Sequence, residues 1–205
     1  MAPPRSNRRK KQAAATREDI LAAARHLFAT RGYAATSMSA IAAEAETAVQ
    51  TIYDSVGPKH AIILAMVGIL EEEAGVGEVQ RRLGLAQDPR ELIEVFVGFT
   101  RWFTEHGADI VQAMASAAPT EPDVAVALQK ANENHHRGAS YVARRLAGTD
   151  ALKPGISAER ASDVIAVLTW GTMWRQLTGE RGWSLDECEE WMVDSIAALL
   201  LKANG

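Results

Sequence analysis

The stretch TREDILAAARHLFATRGYAATSMSAIAAEAETAVQTIYDSVGPKHAIILAM, residues 16–66, decides the fold. Thr16 and Asp19 have the spacing of an N-cap and its returning acid. Ile20, Ala24, Leu27 and Phe28 follow at i, i+4, i+7 and i+8, one apolar face of a helix that Gly32 stops. Thr36 or Ser37 caps a second, short helix whose buried stripe is Met38, Ile41, Ala42 and Ala45. After a three-residue turn, Thr47 and Gln50 repeat the capping spacing and open a third helix with Val49, Ile52 and Tyr53, and Val56 beneath its end. Gly57 breaks that helix, and Pro58 suits the first turn of a fourth. The fourth runs through Ile62, Ile63, Met66, Ile69 and Leu70 to the acids Glu71–Glu73, where Gly75 and Gly77 end it.

Two short helices fixed at a steep angle make a helix-turn-helix, and the packing demands small residues where they touch. Ala42, Ala43 and Ala45 meet that demand. The second helix must expose its first turn, where Ala48, Val49, Gln50 and Thr51 fall, and turn Ile52 inward. Charge is divided in the same sense. Residues 1–60 hold nine Lys/Arg against five Asp/Glu, a net of +4; the remaining residues hold 13 against 21, a net of −8. A basic head on an acidic body suits a polyanion partner for the head, and equally a basic tail without one. Residues 1–15, with Pro3, Pro4, Arg5, Arg8, Arg9, Lys10 and Lys11, are expected to form a flexible arm that enters the minor groove or attracts phosphate non-specifically.

The rest of the chain reads as helix throughout. Abundant alanine and only 6% aromatics favour helix over strand. Asp88-Pro89-Arg90-Glu91 starts a helix that Gly107 separates from another around Ile110 to Ala117. Thr120–Asp123 starts the next, which ends near Leu146. Ser157 opens one reaching Leu177, and Ser184 with Glu187 caps the last, through Leu201. Phe99, Trp102, Phe103, Met114, Tyr141, Trp170, Met173 and Trp174 either line an apolar ligand pocket or fill the core. Val164, Leu168, Gly171 and Thr172 form one stripe and Trp191, Ser195, Ala198 and Leu199 another, suited to a helix-pair interface or to intrachain core. The single cysteine, Cys188, excludes an intrachain disulfide and cannot hold zinc alone, and a reducing cytoplasm is the simplest setting. No apolar run is long enough to span a membrane, and MAPPRSNRRKKQ lacks the apolar region of a secretory signal. His135 and His136 have no evident metal-ligating partners, and His106 sits where a helix C-terminus is expected. No nucleophile–base pair or glycine-rich phosphate loop points to an enzyme, and no cofactor is expected.

Residues 16–66 resemble the DNA-binding domain of the TetR (tetracycline repressor) family of bacterial regulators. The likeness rests on ILAAARHLF, RGYAATSMSAIAAEA, TIY and GPKHAII. It implies an all-α protein with an N-terminal three-helix helix-turn-helix domain and a larger helical domain, 67–205, that binds an effector and dimerises through its last two long helices. It implies that Thr36 and Ser37 hold phosphates, that Thr47 to Gln50 face base edges, and that Thr51, Tyr53 and Lys59 grip the DNA backbone. Gln50 serves either bidentate adenine readout or the cap of the third helix, and Val49 or Ala48 meets a thymine methyl. The expected function is a homodimeric repressor released from a palindromic operator by a small apolar or aromatic effector. The rival expectation is a helical small-molecule-binding or interaction protein with weakened DNA binding. It draws on three departures from the family pattern: Glu46 where glycine is usual, Asp54 and Ser55 in place of an aromatic or basic pair, and Val56 in place of phenylalanine.

Overall fold

A computed structural model describes residues 5–202, with side chains from Arg9 onward. The described chain is all-α: α1 (Arg5–Arg31), α2 (Met38–Glu44), α3 (Val49–Ser55), α4 (Lys59–Glu73), α5 (Val76–Leu85), α6 (Pro89–Ala117), α7 (Pro122–Gly148), α8 (Ala158–Leu168), α9 (Gly171–Arg175), a π-helical turn at Gln176–Glu180, and α10 (Leu185–Leu200). Two compact units emerge. One comprises residues up to Leu70 together with Asp109–Gln129; the other comprises Glu71–Ala108 and Lys130 onward.

The core of the first unit is the stripe read from the sequence. Ile20, Ala24, Ile41, Ile52, Ile62 and Ile63 are wholly excluded from solvent, with Leu27, Phe28 and Met66 almost so. Ser37 caps α2, its Oγ accepting from the Ala40 N–H at 3.1 Å. The turn between α2 and α3 spans Ala45–Ala48, one residue longer than expected, and Glu46 stands in it at φ 48°. That left-handed backbone lets the Thr47 N–H reach the Ala42 carbonyl at 2.9 Å, so the turn closes the end of α2.

Several boundaries differ from the sequence reading. The segment 5–15 is not a separate arm: α1 starts at Arg5 and runs through Thr16, whose hydroxyl donates to the Gln12 carbonyl at 3.0 Å instead of capping. Lys, Gln and Ala are strong helix formers, and nothing between Arg5 and Thr16 interrupts them. Pro3 and Pro4 lie outside the described residues. Ala48, without a side-chain cap, precedes α3, so the Thr47–Gln50 capping box does not form. Gly77 lies inside α5, a helix the sequence reading passed over. Gly107 is buried within a continuous α6. The helix expected from Ser157 to Leu177 breaks at Trp170, which is extended at φ −67°, ψ 142°.

The second unit packs around Leu92, Ile93, Val97, Val142, Ala143, Leu146, Ile165, Cys188, Met192 and Ile196. Trp174 is fully buried there and donates from Nε1 to the Thr100 hydroxyl at 3.3 Å. Gly138 lets α7 approach α6: a Cβ at that position would stand 2.6 Å from Cε2 of Phe96. Ser157 and Ser184 cap α8 and α10 as read, and Glu187 completes the capping box of α10.

An L-residue in the left-handed region costs about 1 kcal/mol relative to glycine. Glu46→Gly is therefore expected to raise the melting temperature by about 2–4 °C for a chain of this size, measured by differential scanning calorimetry. An unchanged or lower transition contradicts strain at Glu46.

Candidate functional site

The seven residues of α3 are too few to hold a helix in water by themselves. Their order comes from Ile52 below and from Arg17 behind, whose Nη1 donates to the Ser55 carbonyl at 2.8 Å and so covers the end of the helix. With Ile52 inward, Ala48, Gln50 and Tyr53 are exposed, and Thr47, Val49 and Thr51 are partly so. The first turn of α3 thus presents two small apolar groups, an amide and two hydroxyls to the outside. Gln50 does not cap the helix. Its Nε2 donates to Asp54 Oδ1 at 2.8 Å, one turn on, which fixes the amide and leaves its carbonyl oxygen and second N–H available.

Three predicted phosphate contacts have different surroundings. Ser37 is exposed and caps α2 through a lone pair, so its proton remains available. Thr36 is buried; its hydroxyl donates to the carbonyls of Gly32 at 2.8 Å and Leu27 at 3.3 Å, closing the end of α1 rather than facing outward. The Lys59 ammonium also turns inward. It donates to the carbonyls of Tyr33 and Thr36, both at 3.0 Å, and lies 4.0 Å from the centre of the Tyr33 ring. Lys59 is thereby the clasp between the α1–α2 loop and the start of α4. Its position at a helix N-terminus is evident in the sequence, whereas these carbonyls converge only when the loop folds.

Tyr33 extends the same knot. Its ring packs on Phe28, and its hydroxyl donates to Glu121 Oε1 at 2.8 Å. Burial, with the Glu121 carboxylate beside it, pushes the phenol well above its ordinary pKa. Glu121 Oε2 stands 3.5 Å from His60 Nδ1, and Asp123 lies 3.8 Å from Nε2 of the same ring. Arg25 forms a fork onto Asp109, at 2.6 and 2.8 Å. Burial alone would raise the Asp109 carboxyl, but the guanidinium outweighs it and holds the group below the usual carboxylate range. These residues tie the helix-turn-helix to the α6–α7 corner within the first unit. Nothing in the sequence pairs Arg25 with Asp109 or Tyr33 with Glu121, because each pair is more than eighty positions apart.

The eight predicted pocket residues are scattered. Met114 is buried in the first unit and Trp174 in the core of the second. Phe99 and Trp102 each meet Phe103 edge-on along α6, with ring centres 5.1 and 5.3 Å apart, and Trp102 stacks on His106. Tyr141 is exposed. Trp170 and Met173 share a cleft with His136, a residue the sequence reading left without a role. Of the expected interface residues, Gly171, Thr172, Ala198 and Leu199 are exposed, and Val164, Leu168, Trp191 and Ser195 are half-buried. No group of three or more metal-ligating side chains is found among the described residues, and none of their helices is long and apolar enough to cross a membrane.

Two short helices joined by a tight turn, the second anchored by a buried apolar residue with its first turn exposed, have the geometry of a helix-turn-helix. Residues 20–66 match the family described as bacterial regulatory proteins, tetR family. Solved structures agree over nearly the whole length. SmeT in complex with triclosan is 19% identical, with 93% of each chain covered and a TM-score of 0.72; SmeT is the repressor of the Stenotrophomonas maltophilia multidrug efflux pump SmeDEF. NalD, the secondary repressor of the MexAB-OprM multidrug efflux pump in Pseudomonas aeruginosa, is 19% identical, with 95% of this chain and 100% of that one covered and a TM-score of 0.71. A proposed transcriptional regulator from Saccharomonospora viridis in complex with choline is 21% identical, with 92% and 99% covered and a TM-score of 0.70. At these identities the likeness is one of fold. Among curated proteins no significant match is found.

Two outcomes are expected. Lys59→Met removes the clasp and leaves two inward carbonyls unpaired, which is expected to cost about 1–3 kcal/mol in urea unfolding; wild-type stability contradicts the clasp. Burial lowers the pKa of His135, aided by the neighbouring His136. The folded chain then binds this proton less readily than the unfolded chain, so the contribution is complete above a pH of about 6.5 and is lost as pH falls below it. His135→Gln is expected to lose less stability than wild type between pH 7.5 and 5.5, and parallel pH curves contradict this.

Proposed function

We propose that the protein is a homodimeric transcriptional repressor that leaves a palindromic operator when a small apolar or aromatic effector binds. The observation that carries this reading is the first turn of α3, exposed above a wholly buried Ile52. Residues 16–66 form the reading head and 67–205 the effector-binding and dimerising body. Thr47 to Gln50 face base edges: Gln50 offers its amide edge to adenine, and Ala48 or Val49 packs on a thymine methyl. Ser37, Thr51 and Tyr53 hold phosphates. Lys59 acts chiefly through the loop it clasps, while the positive end of α4 adds its dipole. The basic start of α1 adds non-specific attraction.

A second copy fits the face of α8 and α10. Leu199 is 53% exposed there, next to Ala198, with Val164, Leu168, Trp191 and Ser195 half-buried. Two-fold pairing sets two α3 helices about one turn of DNA apart, which selects a palindrome. The efflux-pump repressors of the same fold, and the triclosan and choline complexes, support a small-molecule input of diverse chemistry. The protein acts by binding, without a catalytic step, and its setting is the cytoplasm, where the DNA lies. Glu46 and Asp54, both exposed carboxylates near the reading turn, favour the second reading of a helical small-molecule binder with weakened DNA affinity.

Selection of genomic fragments by the purified protein, repeated at rising salt, separates the two readings. A palindromic sequence retained at high salt is expected. Gln50→Ala is expected to weaken that sequence by about 1–3 kcal/mol while leaving non-specific binding intact. Uniform recovery of all fragments, lost together as salt rises, supports the second reading.

A further inference from the structure

The break in the expected Ser157–Leu177 helix is itself built into a site. α8 ends at Leu168, and the Thr169 hydroxyl turns back to the Ile165 carbonyl at 2.7 Å. The Trp170 N–H reaches Val167, at 3.4 Å, and so leaves the Ala166 carbonyl without its helical donor. His135, from α7, supplies the replacement. Its Nε2 lies 3.1 Å from that oxygen, and since a carbonyl only accepts, Nε2 carries the proton. The break is therefore held by a side chain from another helix, without proline at the break. A π-helical turn follows within a few residues, a geometry common at functional sites.

Between the two sides of the break lies a cleft of about 310 Å³. Ala166 and Val167 line it from before the break, and Trp170 and Met173 from after it; a continuous helix would carry Trp170 elsewhere. The imidazole of His136 lies 5.5 Å from the Trp170 ring, and that of His135 meets the same ring edge-on at 4.7 Å. Three polar side chains line it: His136, Thr172 and Gln176. Each both donates and accepts hydrogen bonds. No Lys, Arg, Asp or Glu lines the cleft, so neither an anion nor a cation finds a counter-charge there.

We propose that this cleft is the effector site, and that it takes an uncharged one- or two-ring aromatic carrying a hydroxyl or carbonyl group. The ring lies against Trp170 and Met173, and its polar group meets His136 or Gln176. This rests on the effector-responsive reading above, but the cleft is tested without DNA. The probe is 2-naphthol, titrated into the full chain and followed by nuclear magnetic resonance. Saturable binding is expected, with intermolecular Overhauser contacts to the Trp170 indole and the Met173 methyl. Trp170→Ala should weaken binding at least tenfold. His136→Ala, at an exposed position that leaves the core untouched, should weaken it at least threefold. The anion 2-naphthoate and the phenyltrimethylammonium cation should each bind at least tenfold more weakly than 2-naphthol. Absence of saturable binding, contacts elsewhere, variants that both bind like wild type, or equal affinity for either ion overturns the proposal. Operator selection without naphthol binding overturns the effector site and leaves the regulator reading standing; naphthol binding in the cleft without sequence-selective DNA binding does the reverse.

Discussion

The reading helix exists because Ile52 is buried. A seven-residue helix forms too few hydrogen bonds to offset its nucleation cost, so its order must come from packing. The apolar stripes of α1, α2 and α4 supply that packing, with Ile20, Ile41 and Ile62 equally removed from water. Everything the first turn of α3 offers to DNA depends on this anchor. If Ile52 left its seat, Gln50 and its neighbours would lose their common direction, and the Arg17 cap at Ser55 would have nothing to hold.

The second constraint is the loop before α2. Lys59 and Thr36 were legible as residues, but not as a set with Tyr33. Read one at a time along the chain, a lysine at a helix start and a threonine at a cap position both face phosphate. Folded, their polar groups meet inside: Lys59 satisfies two loop carbonyls, and Thr36 satisfies the end of α1. Tyr33 then carries the connection to Glu121, and through it to His60. The helix-turn-helix is thus fastened to the α6–α7 corner by groups that sequence spacing does not relate.

What was legible followed from local rules. N-caps and apolar periodicity gave the starts of α2, α8 and α10 and the core of the first unit, and the family pattern marked Glu46 as a missing glycine. What was not legible depended on tertiary partners. The break at Trp170 needs His135 from a distant helix to cover Ala166, and a periodic apolar pattern continues through it without interruption. α6 runs through Gly107 because that glycine is buried, where packing overrides its helix-breaking tendency. Trp174 reads as a pocket residue by its type and as core only once its indole meets Thr100. Trp170 and Met173 were legible as pocket candidates, while their grouping with His136, Thr172 and Gln176 was visible only after folding.

The central claim is that the exposed turn of α3 reads the major groove in two symmetric copies. Methylation interference on a selected DNA fragment tests it most directly, because modification at guanine N7 blocks only groups that approach from that groove. The account predicts two clusters of interfering guanines, centred about one helical turn apart, on one face of the duplex. Interference spread evenly along the fragment, or none at any guanine of a tightly bound fragment, would contradict it.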